Sequence, residues 1–205
     1  MKKLTDCFPG LTAEQCAQHD AMEALYREWN ARINVISRKD MDELRTHHIL
    51  HSLAIARIAS FSPGDTVLDA GTGGGFPGLP LAVFFPEVRF TLCDSVGKKI
   101  KVAQAVADGL GLTNVQCVNA RVESLPGHFD YIVSRAVADL STFYPWVKGR
   151  FSQAVFYLKG GDLDEEIAAC ARRYRIDPGK FLQTPVSRWF DDPWFAEKKI
   201  VTILQ

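Results

Sequence analysis

Residues 69–78 read DAGTGGGFPG, with glycine at positions 71, 73, 74 and 75, directly after the apolar run Thr66-Val67-Leu68. Pro80 then stands just inside a helix start. A strand that runs into a glycine-rich loop and then a helix lets backbone N–H groups approach a ligand closely. Asp69, at the strand's end, is unusual for a loop that holds only phosphate, because a carboxylate there repels an anion.

The pattern on either side of this stretch alternates strand and helix. Downstream the sequence predicts a helix over Leu79–Phe85 ended by Pro86, a strand over Val88–Cys93 and a helix over Ser95–Leu110 closed by Gly111. Strands follow at Val115–Val118, Tyr131–Ser134 and Ala154–Leu158, with helices at Leu140–Val147 (interrupted by Pro145) and Asp162–Tyr174. Two last strand-like runs, Pro185–Phe190 and Lys199–Leu204, are joined by a turn at Asp191-Asp192-Pro193. This order predicts an α/β fold, a doubly wound and mostly parallel seven-stranded sheet with an antiparallel last strand.

Upstream, Thr12-Ala13-Glu14-Gln15 fits a capping box, with Leu11 and Cys16 placed as a hydrophobic staple. Met22, Leu25, Tyr26, Trp29 and Ile33 then repeat at helical spacing. After a break at residues 34–38, Asp40 is placed to cap a second helix, striped by Leu44, Ile49, Leu50, Leu53, Ala54 and Ile58. Ser62-Pro63-Gly64-Asp65 makes a turn before the glycine-loop strand. The expected organisation is an N-terminal helical extension over residues 1–60 and one Rossmann-like unit over 61–205.

The ligand of such a loop is a dinucleotide or S-adenosylmethionine. Asp94 follows the second strand and is placed to accept hydrogen bonds from ribose hydroxyls in either case. A dinucleotide loop needs G-x-G-x-x-G, and Phe76 stands where its third glycine belongs. Asp69-x-Gly71-x-Gly73-x-Gly75 instead matches the acid-x-G-x-G-x-G loop of class I methyltransferases. Asp69 would offset the ammonium and sulfonium of S-adenosylmethionine, or order the loop.

Bulk composition narrows the class further. In 205 residues, Lys+Arg 24 and Asp+Glu 24 cancel, so no overall basic field marks nucleic acid as a partner. Hydrophobic content of 47% suffices for a sizeable core. Five scattered cysteines, with no C-x-x-C pair, suggest a reduced cytosolic protein without disulfides or structural zinc, and Cys93 and Cys117 read as small hydrophobes in strands. The opening Met1-Lys2-Lys3-Leu4-Thr5-Asp6 lacks the apolar run of a signal peptide. No window approaches the roughly 18 apolar residues of a membrane span.

Four stretches, DAGTGGGFPGLPLAVFFPE, LCDSVGKKIKVAQ, GLTNVQCVNARVE and FDYIVSRAVA, together resemble the bacterial RsmG (GidB) family, as does the upstream NVISRKDMDELRTHHILHSLA. The resemblance runs from about residue 34 to 161; the first thirty residues and the tail share only general character. It implies a class I S-adenosylmethionine-dependent enzyme that methylates N7 of a guanine in a conserved loop of 16S rRNA. The implied partner is 16S rRNA in a small ribosomal subunit or its precursor, and the implied enzyme is a cytoplasmic monomer. Rival readings are a same-fold methyltransferase acting on a small molecule or protein, and a non-catalytic ribosome-binding factor.

Carried over by position, Gly71 and Phe76 look like cofactor contacts, and Val122 with Glu123 like the pair framing the adenine; Gly73 and Gly75 join the expected cofactor set from the loop pattern itself. Arg135 matches a cofactor-pocket position and has a second possible task at the guanine, with an ion pair to Glu123 as the purely structural alternative. N7 carries a lone pair and no proton, so no general base is expected; placement and pocket shape do the work. His48, with Arg135, is the expected catalytic-pocket residue. His47, His48 and His51 share helix faces, yet no carboxylate or cysteine in register completes a metal set, and no metal is expected. Arg32, Arg38, Lys39, Lys98, Lys99, Lys101, Lys148, Arg150 and Lys159 are available to RNA phosphates. Trp189, Phe190, Trp194 and Phe195 read as core packing, with base stacking as the alternative.

Overall fold

The computed structural model describes residues 4–205; Met1–Lys3 at the amino end and the Arg38 side chain lie outside the described residues. Seven strands form one sheet: β1 (Thr66–Ala70), β2 (Arg89–Asp94), β3 (Val115–Asn119), β4 (Phe129–Arg135), β5 (Phe151–Gly160), β6 (Phe181–Pro185) and β7 (Lys198–Leu204), in the order β3-β2-β1-β4-β5-β7-β6. The pairs joining β3, β2, β1, β4 and β5 are parallel, and β7 runs antiparallel to both β5 and β6. The central strands carry apolar residues on both faces, as a sheet covered by helices on both sides requires. Leu68, Ile132, Val155 and Val201 lie in one cluster and Val67, Val133, Phe156 and Ile200 in the other.

The helices are α1 (Leu4–Cys7), α2 (Ala13–Arg32), α3 (Arg38–Asp42), α4 (His51–Leu53), α5 (Gly78–Phe84), α6 (Gly97–Gly109), α7 (Leu140–Val147) and α8 (Asp164–Tyr174). The capping box of α2 forms: Gln15 N–H donates to Thr12 Oγ1 at 3.1 Å, and Thr12 N–H donates to Gln15 Oε1 at 2.9 Å. The same Gln15 amide donates to Val83 and Phe84 carbonyls, both at 3.0 Å, at the end of α5. One polar side chain thus starts one helix and finishes another.

Three expectations are corrected. Ser37, not Asp40, caps α3: its hydroxyl accepts from Asp40 N–H at 3.1 Å and donates to the Asp40 carboxylate at 2.7 Å. The expected single second helix is broken into α3, a π-helical stretch over Leu44–Leu50, α4 and a 3-10 turn over Ile55–Arg57. Widening the helix there keeps Leu44, Ile49 and Leu53 buried while His47 and His48 face other neighbours. Finally, the strand expected at Pro185–Phe190 lies earlier, at Phe181–Pro185, and Val186–Arg188 forms a 3-10 turn. Proline has no N–H to continue a ladder, so Pro185 ends the edge strand rather than starting one.

The aromatic tail is packing: Phe190 and Phe195 are buried, with ring centroids 5.0 Å apart. Trp194 stacks on His47 at 4.1 Å, and Lys198 Nζ lies 4.4 Å from its ring centroid. Cys93 is buried, Cys117 only partly, and Cys16, Cys93, Cys117 and Cys170 carry free thiols. Among the described residues, no helix is long and apolar enough to cross a membrane.

Candidate active site

The sheet reverses its order between β1 and β4, and a cleft of about 500 Å³ opens beyond the carboxyl ends of β1, β2 and β4. Gly71 to Gly74 and Phe76 form its floor. Gly71 and Thr72 N–H groups both donate to the Cys93 carbonyl, at 2.9 and 3.0 Å, which pins the loop to the neighbouring strand. Gly71 has φ +74°, and a Cβ there would meet Val137 Cγ1 at 2.4 Å. Gly73 differs: its φ is +60°, but a Cβ would meet nothing within 4 Å, because that side faces the cleft.

Two carboxylates hold the loop. Asp94 Oδ2 accepts from Gly73 N–H at 2.9 Å, and Oδ1 from Val96 N–H at 2.8 Å, while the side chain still lines the cleft. Asp69 is fully buried beneath the loop, where Oδ2 accepts from Thr72 Oγ1 at 2.5 Å and from Gly78 N–H at 2.7 Å. The Cβ of any residue but glycine at 78 would lie 2.7 Å from that oxygen. Of the two roles open to Asp69, the geometry places it in loop ordering. Gly75, at φ +117°, likewise turns inward against Leu79 and Tyr26.

Asp69 Oδ1 has no hydrogen-bond partner among the described residues. Burial drives the Asp69 pKa from 3.8 up to about 7, against the opposing pull of Thr72, Gly78 and the Arg135 charge. The folded chain therefore holds this proton more tightly than the unfolded one. The resulting stability is complete below about pH 4 and is lost as pH rises through about 7, roughly 4 kcal/mol at most. The buried histidines His19, His48 and His51, whose pKa values are lowered chiefly by burial, act in the opposite sense, so the Asp69 contribution is read as a difference. In denaturant titrations of the cofactor-free protein and of Asp69→Asn at matched pH, the wild type should lose stability relative to the variant as pH rises from about 4 to about 7; a constant difference would exclude Asp69 as the titrating group.

Across the cleft, β4 ends in Arg135. Its Nη1 donates to the His47 carbonyl at 3.2 Å, its Nη2 lies 2.9 Å from His48 Nδ1, and the guanidinium sits 5.1 Å from the Phe76 ring centroid. The alternative of a structural ion pair with Glu123 is not realised, since Glu123 is exposed on the β3 side of the loop. His48 stands edge-on to Phe76 at 5.0 Å, and Tyr26 stacks on the same ring at 4.7 Å. Val122 and Glu123 line the opposite flank with Ser95, Val96 and Arg121. His47 and His51 both pack on Trp194, at 4.1 and 5.1 Å, while His48 turns to Phe76, and no metal-holding group of His, Cys, Asp or Glu occurs among the described residues.

Two contributors were not legible in the sequence. Tyr26, fully buried on α2, donates its hydroxyl to the Gly74 carbonyl at 2.7 Å, so α2 supports the glycine loop directly. It had only the look of one more apolar residue in a helical stripe, although a buried tyrosine hydroxyl needs a partner. Arg150 turns inward, donating to the carbonyls of Val122 at 2.6 Å, Leu125 at 2.5 Å and Trp146 at 3.2 Å. Lys159 pairs with Glu166 and the Ala138 carbonyl, and Arg32 with Glu28 at 2.9 Å. Arg150 and Lys159 are therefore braces rather than free phosphate contacts.

Comparison with known proteins places this geometry. The profile of the GidB family, described as rRNA small subunit methyltransferase G, matches residues 15–189. Proteins named ribosomal RNA small subunit methyltransferase G from Flavobacterium psychrophilum and Christiangramia forsetii are 49% and 48% identical to this chain. The first match covers 99% of this chain and 97% of the relative, the second 98% and 95%. Among solved structures, magnesium protoporphyrin IX methyltransferase from Synechocystis with bound S-adenosylmethionine superposes with TM-score 0.62. It is 14% identical, over 96% of this chain and 99% of that one, a likeness of fold. The fold is that of class I methyltransferases, and S-adenosylmethionine is the cofactor. The cleft suits it, with an open face over Gly73, a carboxylate in Asp94 and a backbone-lined floor. This chain belongs to the rRNA small subunit methyltransferase G family.

Proposed function

We propose that this protein methylates N7 of a guanine in 16S rRNA, acting as a cytoplasmic monomer on a small ribosomal subunit or its precursor. Relatives named for the small-subunit rRNA support the substrate class. The observation that carries the choice of N7 is chemical. The β4 side of the cleft offers Arg135 and His48, and the His48 nitrogen nearest the guanidinium is already engaged by it. Among the described residues, no free base stands on that side to take a proton from an exocyclic amine, and N7 has none to give.

Asp94, Gly71, Gly73 and Phe76 line the donor's site, with Val122 and Glu123 framing the adenine; Asp69 and Gly75 order the loop from beneath. Each Asp94 oxygen keeps a lone pair for a ribose hydroxyl beyond its backbone N–H. When bound, S-adenosylmethionine supplies an electrophilic methyl group on a cationic sulfur, to which the C–S bonding pair returns as N7 forms the new C–N bond. The chain's part is to align the acceptor and exclude water, and the apolar Phe76, Val35 and Val137 walls favour dispersal of the sulfonium charge. The test maps N7-methylguanine in 16S rRNA from cells with and without this protein. One guanine should lose its mark on deletion; an unchanged map overturns the assignment.

A further inference from the structure

We propose that His48 reads the carbonyl oxygen at C6 of the acceptor purine, donating a hydrogen bond from Nε2 in a tautomer that Arg135 imposes. The proposal rests on the guanine reading above. A guanidinium can only donate, so an Nη2 2.9 Å from His48 Nδ1 requires a lone pair on that nitrogen. The single imidazole proton then resides on Nε2. Burial first, and the Arg135 charge second, hold the ring neutral, with its pKa lowered to about 3. The tautomer is therefore constant across the physiological range.

The Nε2 proton has no acceptor among the hydrogen bonds of the described residues, and Nε2 is not among the buried unpartnered atoms. The ring lines the cleft, and its edge-on contact with Phe76 fixes its orientation. Sheet order decides which ligand it meets. Val122 and Glu123 follow β3, on one side of the β1 loop, whereas Arg135 ends β4 on the other and His48 packs against it. His48 is thus on the flank away from the adenine frame.

The major-groove edge of guanine carries two adjacent acceptors, N7 and O6. N7 must stay free to attack, so a donor that binds O6 orients the base without capping its nucleophile. Adenine presents an amino group at the same place, which would set donor against donor. His48 is in this sense a specificity residue that touches substrate, and Arg135 its positioning partner.

The test uses reconstituted small subunits carrying either guanine or 2-aminopurine at the mapped position; the latter keeps N7 and lacks O6. Wild-type protein should lose roughly ten- to hundredfold in kcat/KM on 2-aminopurine. His48→Phe, which keeps a ring against Phe76, should lose as much on guanine and nothing further on 2-aminopurine. His48→Gln, able to accept from Arg135 and donate onward, should recover part of the loss and part of the O6 dependence. S-adenosylmethionine affinity, by calorimetry, should stay within about threefold in both variants. Continued sensitivity of His48→Phe to O6 removal overturns the proposal and leaves the guanine reading intact. Failure of wild type to methylate guanine removes both. Nitrogen-15 spectra of the wild-type protein give a separate check: a proton on His48 Nδ1 overturns the proposal whatever the variants do.

Discussion

Gly73→Asp should leave the protein folded and abolish S-adenosylmethionine binding. At φ +60° the backbone is left-handed, a region aspartate tolerates better than most residues. A Cβ there meets no protein atom within 4 Å, so the new side chain enters the cleft without disturbing the core. It fills the space over the loop floor and crowds Asp94, whose oxygen already holds the Gly73 N–H. Calorimetry should show an affinity loss of at least about a hundredfold, the effect of roughly 2.7 kcal/mol. The Tm should move by only a few degrees. Gly75→Ala should do the reverse. Its Cβ would lie 2.4 Å from Leu79 Cδ1 and 2.8 Å from the Tyr26 hydroxyl, at φ +117°. A cost of about 3 kcal/mol follows from combined strain and overpacking, and at roughly 2–4 °C per kcal/mol the Tm falls by about 6–12 °C. Interchanged phenotypes would refute the placement of the two glycines.

Arg135→Met should cut methylation by about a hundredfold or more, the loss typical of removing a preorganised charged group from an active site. The guanidinium fixes His48, binds the His47 carbonyl, covers Phe76 and offsets the charge of Asp69. Methionine keeps much of the volume and none of these contacts. Arg135→Lys should recover little of the rate, because one ammonium cannot reproduce a fork directed at two acceptors. Single-turnover rates and donor affinity measured separately would locate the loss. Full activity in Arg135→Met would exclude the pair from the acceptor site.

The sheet was legible because its strands obey local rules. Val115, Tyr131 and Ala154 lie in runs bounded by turn residues, and α7 begins and ends where its sequence pattern does. The glycine loop was legible as well, since positive φ and close approach leave few alternatives to glycine. What escaped was tertiary. Asp69 has the sequence of a ligand contact and the position of a buried tie, a difference set by which way a strand's last side chain points. Arg150 resembles any surface arginine until three carbonyls from two segments converge on it. The π-helical stretch at Leu44–Leu50 leaves no mark in an apolar stripe that fits an α-helix equally well.

The bond from Tyr26 to Gly74 spans 48 positions of chain. Natural variation at residue 26 is therefore variation in the donor loop's own scaffolding. A genetic survey that ranked substitutions by their distance along the chain from the glycine motif would misfile it as remote. A substitution at residue 26 therefore acts on the donor loop as directly as one inside the glycine motif.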